Sequence, residues 1–283
     1  MTCRTDRFFA KSGSGIPKII GILNLTDDSF SDGGAYRTAE DAVAHAEEML
    51  SSGADAIDIG AESTRPGAAA QPVQTEIERL VPVVRCLRER KPDCVICVDT
   101  RKAAVAEAVL EAGADVINDV SGLQFDPGMA QVVAKYDAGL VLMHMRGTPE
   151  TMQNEENLLY QDLIGEINAF FERQIALAVG AGIRRDRIAL DPGVGFAKTV
   201  TANWQLVRDA EQFRKHGLPL YYGISRKSFL GRDRAPQDRD FATAGVLAYL
   251  AEKKIEFVRV HNTAAALDSM KAYTAALNGG NEE

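Results

Sequence analysis

Gly53-Ala54-Asp55-Ala56-Ile57-Asp58 returns further along the chain as Gly113-Ala114-Asp115-Val116-Ile117-Asn118. In both copies a glycine of the kind that closes a helix is followed at once by an apolar run. The repeating unit is therefore helix, glycine, strand. Working outward from it, apolar runs read as strands at 19–25, 54–60, 94–99, 114–120, 139–145, 187–191, 220–224 and 256–261. Amphipathic stretches lie between them, such as 38–52, with Ala42, Ala46, Met49 and Leu50 on one face. The strands are near-continuously apolar, as expected when helices cover a parallel sheet. Eight strands, each followed by a helical pattern, is the number of a closed barrel. An open doubly wound sheet competes with this, but no Gly-x-Gly-x-x-Gly follows the first strand. The expected fold is an α/β (β/α)8 TIM barrel, one domain over residues 16–283.

Composition agrees. The chain has 283 residues, close to the roughly 250 that such a barrel needs. Apolar residues make up 46% and charged residues 25%, enough for a large core. A net charge of −8 argues against a broad surface for nucleic acid or anionic membrane, so an anionic substrate needs a local basic cluster. Residues 1–15 are polar and Gly/Ser-rich and read as a flexible tail without the apolar core of a signal peptide. No apolar run approaches the roughly 20 residues of a membrane span. Four cysteines in a chain of this length do not make a disulfide scaffold. A cytoplasmic location fits these features.

The polar residues are placed unevenly. Strand after strand ends on one: Asn24, Asp58, Asp99, Asn118, His144, Asp191, then Arg259 with His261. The carboxyl ends of barrel strands are where such folds do chemistry. Arg259 and His261 are two apart and point to one side of their strand, as do Asp191 with Ala189 and Asn118 with Val116. A lone Asp or Asn here is as readily a helix cap or a turn. Caps do not account for Arg259, His261 or Lys227. Two long loops follow the first strands, at 26–34 and 62–68, and carry Phe30 and Arg65. Loops of that kind bind ligands or idle in solvent.

Other signals are bland. Cys94 and Cys97 form a Cys-x-x-Cys inside a strand, where residues three apart face opposite sides and cannot share a metal. Gly13-Ser14-Gly15 precedes the first strand, so it is no phosphate loop. His45 and His216 read as surface residues, His144 as structural or as a support to the site, and Arg232-Asp233-Arg234 as a solvated loop.

Several segments together resemble a known family. Gly21-Ile22-Leu23-Asn24-Leu25-Thr26-Asp27-Asp28-Ser29-Phe30-Ser31-Asp32-Gly33-Gly34 and Glu62-Ser63-Thr64-Arg65-Pro66-Gly67 resemble the two signatures of the dihydropteroate synthases, which are pterin-binding enzymes. Val98-Asp99-Thr100, Asn118-Asp119-Val120-Ser121-Gly122, Met143-His144-Met145-Arg146-Gly147, Leu190-Asp191-Pro192-Gly193-Val194-Gly195-Phe196, Ser225-Arg226-Lys227-Ser228-Phe229-Leu230-Gly231 and Arg259-Val260-His261 follow in family order.

The resemblance implies that p-aminobenzoate displaces pyrophosphate from a pterin methylene, with the leaving group departing first. It implies Asp99, Asp191, Lys227 and Asn24 as catalytic residues. Asp191 would take the pterin's amino and ring N–H donors, Asp99 and Asn118 would add contacts, and Lys227 would donate to the ring. Asp58 joins the substrate-binding set. Met143 and Phe196 would line the slot, and Arg259 and His261 would grip pyrophosphate, with Mg2+ near Asn24. Phe30, Thr64, Arg65 and Ser225 would frame p-aminobenzoate. A homodimer is implied too, with 262–277 as a candidate interface.

Three residues depart from the family pattern: Asp27 for Pro, Ala197 for Gly, and Asn262 for Asp. A corrinoid-linked methyltransferase domain would lack Ser225-Arg226-Lys227 and the Arg259/His261 pair. A silent paralogue finds support only in Asp27.

Overall fold

Lys18–Asn24 forms β1, and seven further strands stand parallel around it in a computed structural model that describes residues 3–13, 15–25, 38–65 and 67–279. They are β2 Ala56–Gly60, β3 Val95–Asp99, β4 Val116–Asp119, β5 Gly139–Met143, β6 Ile188–Asp191, β7 Tyr221–Tyr222 and β8 Phe257–Val260. The order is β6-β5-β4-β3-β2-β1-β8-β7. A bridge between Leu190 and Leu220 joins the two outer strands and closes the barrel.

The repeated hexapeptide has a clear job. Gly53 and Gly113 adopt φ of +99° and +112°, ending their helices. The next aspartate then takes an N–H near the start of the preceding strand: Asp55 Oδ2 accepts from Ile19 N at 2.7 Å, and Asp115 Oδ2 from Ile96 N at 2.9 Å. Glu256 does the same for Leu220 N at 2.9 Å. Strand starts have orphan donors at the barrel's lower rim, and these carboxylates satisfy them.

Helices pack outside. α1 is Arg4–Phe9, α2 Ala39–Ser51, α3 Val73–Arg90, α4 Ala103–Glu111, α5 Met129–Lys135, α6 Leu163–Gly180, α7 Val200–Arg208, α8 Asp240–Glu252 and α9 Thr263–Leu277. Thr38 starts α2 with a capping box to Asp41.

The first helix corrects the expectation of a flexible tail. Phe8 enters the barrel from below and packs with Ile20, Ala56, Val95, Cys97, Val116, Val141, Ala189, Tyr221 and Phe257. Its ring stacks on Phe257 at 4.5 Å. Phe9 packs beside it so closely that a side-chain carbon on Gly139 would fall 2.6 Å from its ring. The lower mouth of the barrel is apolar, and two aromatic rings in an otherwise polar stretch suffice to close it.

Cys94 packs in the outer core and Cys97 in the inner one, on opposite faces as expected. His45 and His216 are half-buried rather than exposed. His216 Nε2 meets Asn168 Oδ1 at 2.9 Å. The expected segment 232–234 is exposed. Asp27 and Phe30 lie outside the described residues.

Candidate active site

Strand register builds the site. Gly60 pairs with Asp99, Asp99 with Asn118, and Met143 with Asp191, so their side chains share the inner face at the upper rim. Ile20 pairs with Arg259 and with Ala56, which brings β8 next to β1 and β2. Arg259 then reaches across. Its Nε bonds Asp58 Oδ2, and its Nη2 bonds Asp99 Oδ2 at 3.1 Å. Asn118 Nδ2 donates to the same Asp58 oxygen at 3.0 Å. Asp58 is wholly enclosed, whereas Asp99 and Asp191 are slightly exposed at 8% and 5%. Asp58 therefore lies beneath the floor and holds Arg259 and Asn118 from below.

Burial pushes the Asp99 carboxyl up to about 7, against the opposing pull of Arg259. For Arg259 burial works against the charge, but Asp58 and Asp99 outweigh it and keep the guanidinium protonated.

The second half comes from β6 and the loop after β7. Asp191 Oδ1 accepts from Gly193 N at 2.7 Å. Burial raises its carboxyl, and Lys227 draws it back down. Lys227 Nζ bonds the Val194 carbonyl and stands 4.7 Å from the centre of the Phe196 ring. Burial lowers the ammonium to about 8, offset by Asp191. Gly193, at φ +72°, could be no other residue, since an added carbon would lie 2.0 Å from the His144 carbonyl oxygen. Met143 is buried with Val120, Met145, Met152 and Ala197, and Phe196 packs against this group.

At the end of β8, the Ser225 hydroxyl accepts from His261 N at 3.1 Å and lies 2.9 Å from His261 Nδ1. Burial, then Arg226 and Arg259, depress the imidazole to about 3. Asn24 ends β1, half-buried, paired with Gly60. Thr64 is half-buried and Arg65 exposed on the second loop.

The sequence reading missed what supports these groups. Glu62, at the root of the second loop, bonds Arg101 at 2.9 Å and also Lys102. Lys102 reaches Glu76 and the Gln71 carbonyl as well. The loop is thus tied to the end of β3. His144 is structural: its Nδ1 lies 3.1 Å from the buried Lys198 Nζ, which also bonds the Gly193 and Phe196 carbonyls at 3.2 and 2.8 Å. Lys198 so fastens the loop after Asp191. Asn262 caps α9 through Ala265 N and donates to Asp240 at 3.3 Å, a bond that aspartate could not make. Asp240 in turn grips Arg226 of the Ser225-Arg226-Lys227 segment at 2.7 and 2.8 Å.

For a divalent ion, no group of three or more His, Cys, Asp or Glu among the described residues forms a ready cage. Asn24, half-buried at the end of β1, offers one amide oxygen. That donor set suits Mg2+ bound chiefly through substrate phosphates.

Residues 20–261 match the family described as pterin binding enzyme. The chain is 42% identical over 260 residues to the dihydropteroate synthase of Synechocystis sp., covering 91% of this chain and 89% of that one. It is similar to the Yersinia pestis dihydropteroate synthase solved in a sulfonamide drug complex, with a TM-score of 0.88, 40% identity, and coverage of 95% and 98%. The Xanthomonas albilineans dihydropteroate synthase with 4-aminobenzoic acid gives a TM-score of 0.84, 37% identity and 93% coverage of both chains.

Proposed function

The chain belongs to the pterin binding enzyme family, and from that premise we propose that it condenses 6-hydroxymethyl-7,8-dihydropterin pyrophosphate with p-aminobenzoate, giving 7,8-dihydropteroate and pyrophosphate for folate synthesis. One observation carries the reading. A guanidinium pinned by Asp58 and Asp99 stands across the floor from the Asp191 and Lys227 pair, so one slot offers acceptors for a pterin and cations for its pyrophosphate.

In this reaction the pterin's amino and ring N–H groups donate to Asp191, and Asn118 adds a contact. Lys227, largely protonated near neutrality, donates to the ring. Arg259 grips pyrophosphate oxygens with its planar fork. His261 is neutral; in the tautomer in which Ser225 donates to Nδ1, Nε2 carries the proton and supplies a second donor. The electron-rich pterin delocalises the cation left when pyrophosphate departs, and an ionised Asp99 stabilises it. The amine of p-aminobenzoate, framed by Thr64 and Arg65, then attacks. Positioning and electrostatics carry the rate without a protein nucleophile. Mg2+, held by Asn24 and the phosphates, would neutralise charge on the leaving group. Sulfonamides would compete with p-aminobenzoate.

A homodimer accompanies this proposal, with α9 as its candidate interface and Phe241, 89% exposed, on the adjoining α8. Phe241→Asp should then give a monomer in light scattering. Among the described residues no helix is long and apolar enough to cross a membrane, which accords with a cytoplasmic enzyme.

The decisive experiment is release of pyrophosphate from the pterin ester with and without p-aminobenzoate. Release that requires the amine supports the reading. Pterin binding without release would instead mark a silent paralogue.

A further inference from the structure

Three buried polar atoms at the centre of the barrel meet no hydrogen-bond partner among the described residues: Asp58 Oδ1, Asn118 Oδ1 and Tyr221 Oη. Asn118, 3% exposed, lies at the floor of the slot. The other two are deeper. Asp58 pairs with Cys97, one pleat below the Gly60 and Asp99 pair, and is wholly enclosed. Tyr221 is equally enclosed and belongs to the inner core with Ala56, Cys97 and Phe257. It pairs with Phe257, two residues before Arg259. Burial first, and then the charge of Asp58, push its phenol well above the ordinary range, so it keeps its proton.

A donor lacking an acceptor and an acceptor lacking a donor thus share the layer under Arg259. A buried polar atom left unpaired is destabilising. Turning Asp58 to meet the phenol directly would surrender the bonds of its Oδ2 to Arg259 and Asn118. A water needs two to four polar partners, and this layer supplies the phenol, the carboxylate oxygen and the neighbouring Cys97 thiol.

We propose that one buried water joins Tyr221 Oη to Asp58 Oδ1, and that Tyr221 is thereby a positioning residue for Asp58 and, through it, for Arg259. The water accepts the phenol proton's hydrogen bond and donates to the carboxylate. Asp58 is then held from its lower oxygen while the upper one keeps both Arg259 and Asn118. The positioning role rests on the proposed function. The water site itself does not.

A crystal structure of the ligand-free protein tests the site. A density peak about 2.5–3.2 Å from both oxygens is expected, and an empty layer there overturns the proposal whatever the chain catalyses. Calorimetry with inorganic pyrophosphate tests the role. Tyr221→Phe keeps the ring's volume and should weaken binding about three- to tenfold, the size of one ordinary hydrogen bond. In an Asp58→Asn background the same change should have no further effect, because Tyr221 acts through Asp58. Losses that simply add would show that Tyr221 acts by another route. If the unaltered chain binds no pyrophosphate, the functional reading falls and the density still decides the water.

Discussion

The Ser225 hydroxyl accepts the His261 backbone N–H and sits 2.9 Å from its Nδ1, so one small side chain holds both the backbone and the ring of His261. The ring is depressed to about 3 from an ordinary 6.5. If the neutral ring is the donor proposed above, binding of the pyrophosphate ester should show no step from this group near pH 6.5. His261→Gln, which keeps an N–H, should retain affinity that His261→Ala loses, by about tenfold. The sign for stability is that of a depressed base: the contribution is whole above 6.5 and is lost as pH falls toward 3. His261→Gln should therefore reduce acid sensitivity in that window. Denaturation curves identical to the parent between those values would refute the neutral assignment.

Asp99 gives the opposite pH signature. Its carboxyl is raised to about 7, so the empty pocket keeps a proton there in mild acid. Pterin donors and a developing cation both favour the ionised form. Pterin affinity should rise as pH climbs through about 7, and Asp99→Asn should flatten that rise. Titration calorimetry across this range checks it; a parent protein with no slope would remove Asp99 from the contact set.

Asp191→Ala should weaken bare pterin by at least tenfold, because each charge-assisted hydrogen bond contributes roughly 1.5–3 kcal/mol. The fold should persist, since Asp191 anchors only the local turn at Gly193. Unchanged affinity in a folded variant would place the pterin elsewhere.

Lys102 is the keystone of the second loop. It is buried against Glu62 and Glu76, which are 6% and 1% exposed. Lys102→Met would leave the enclosed Glu76 without a cation, while Glu62 keeps Arg101, and should cost about 3–5 kcal/mol of stability, the usual result of breaking a buried ion pair. Urea denaturation measures it. A loss below about 1 kcal/mol would mean that water already reaches the cluster.

Much of this site is legible from residue spacing. Arg259 and His261 stand two apart in an apolar run, and alternation alone puts them on one side. Asp99, Asn118 and Asp191 end strands whose cores are apolar, so their convergence follows from closing the barrel. Lys198 is different. Its partners are main-chain carbonyls and a histidine 54 residues away, and such contacts leave no local pattern. Glu62 and Lys102 sit inside or beside recognisable motifs, yet their pairing across 40 residues depends on how two loops fold over one rim. The helix at Arg4–Phe9 is hidden for another reason: six residues carry too little periodicity, and only the empty mouth below the barrel explains why Phe8 is apolar.

That plug has a consequence for how the chain is made. Phe8 is synthesised well before the ring it stacks on, Phe257. The segment around Phe8 waits, solvated, until β8 has followed it, and its docking certifies that the eighth strand is in place.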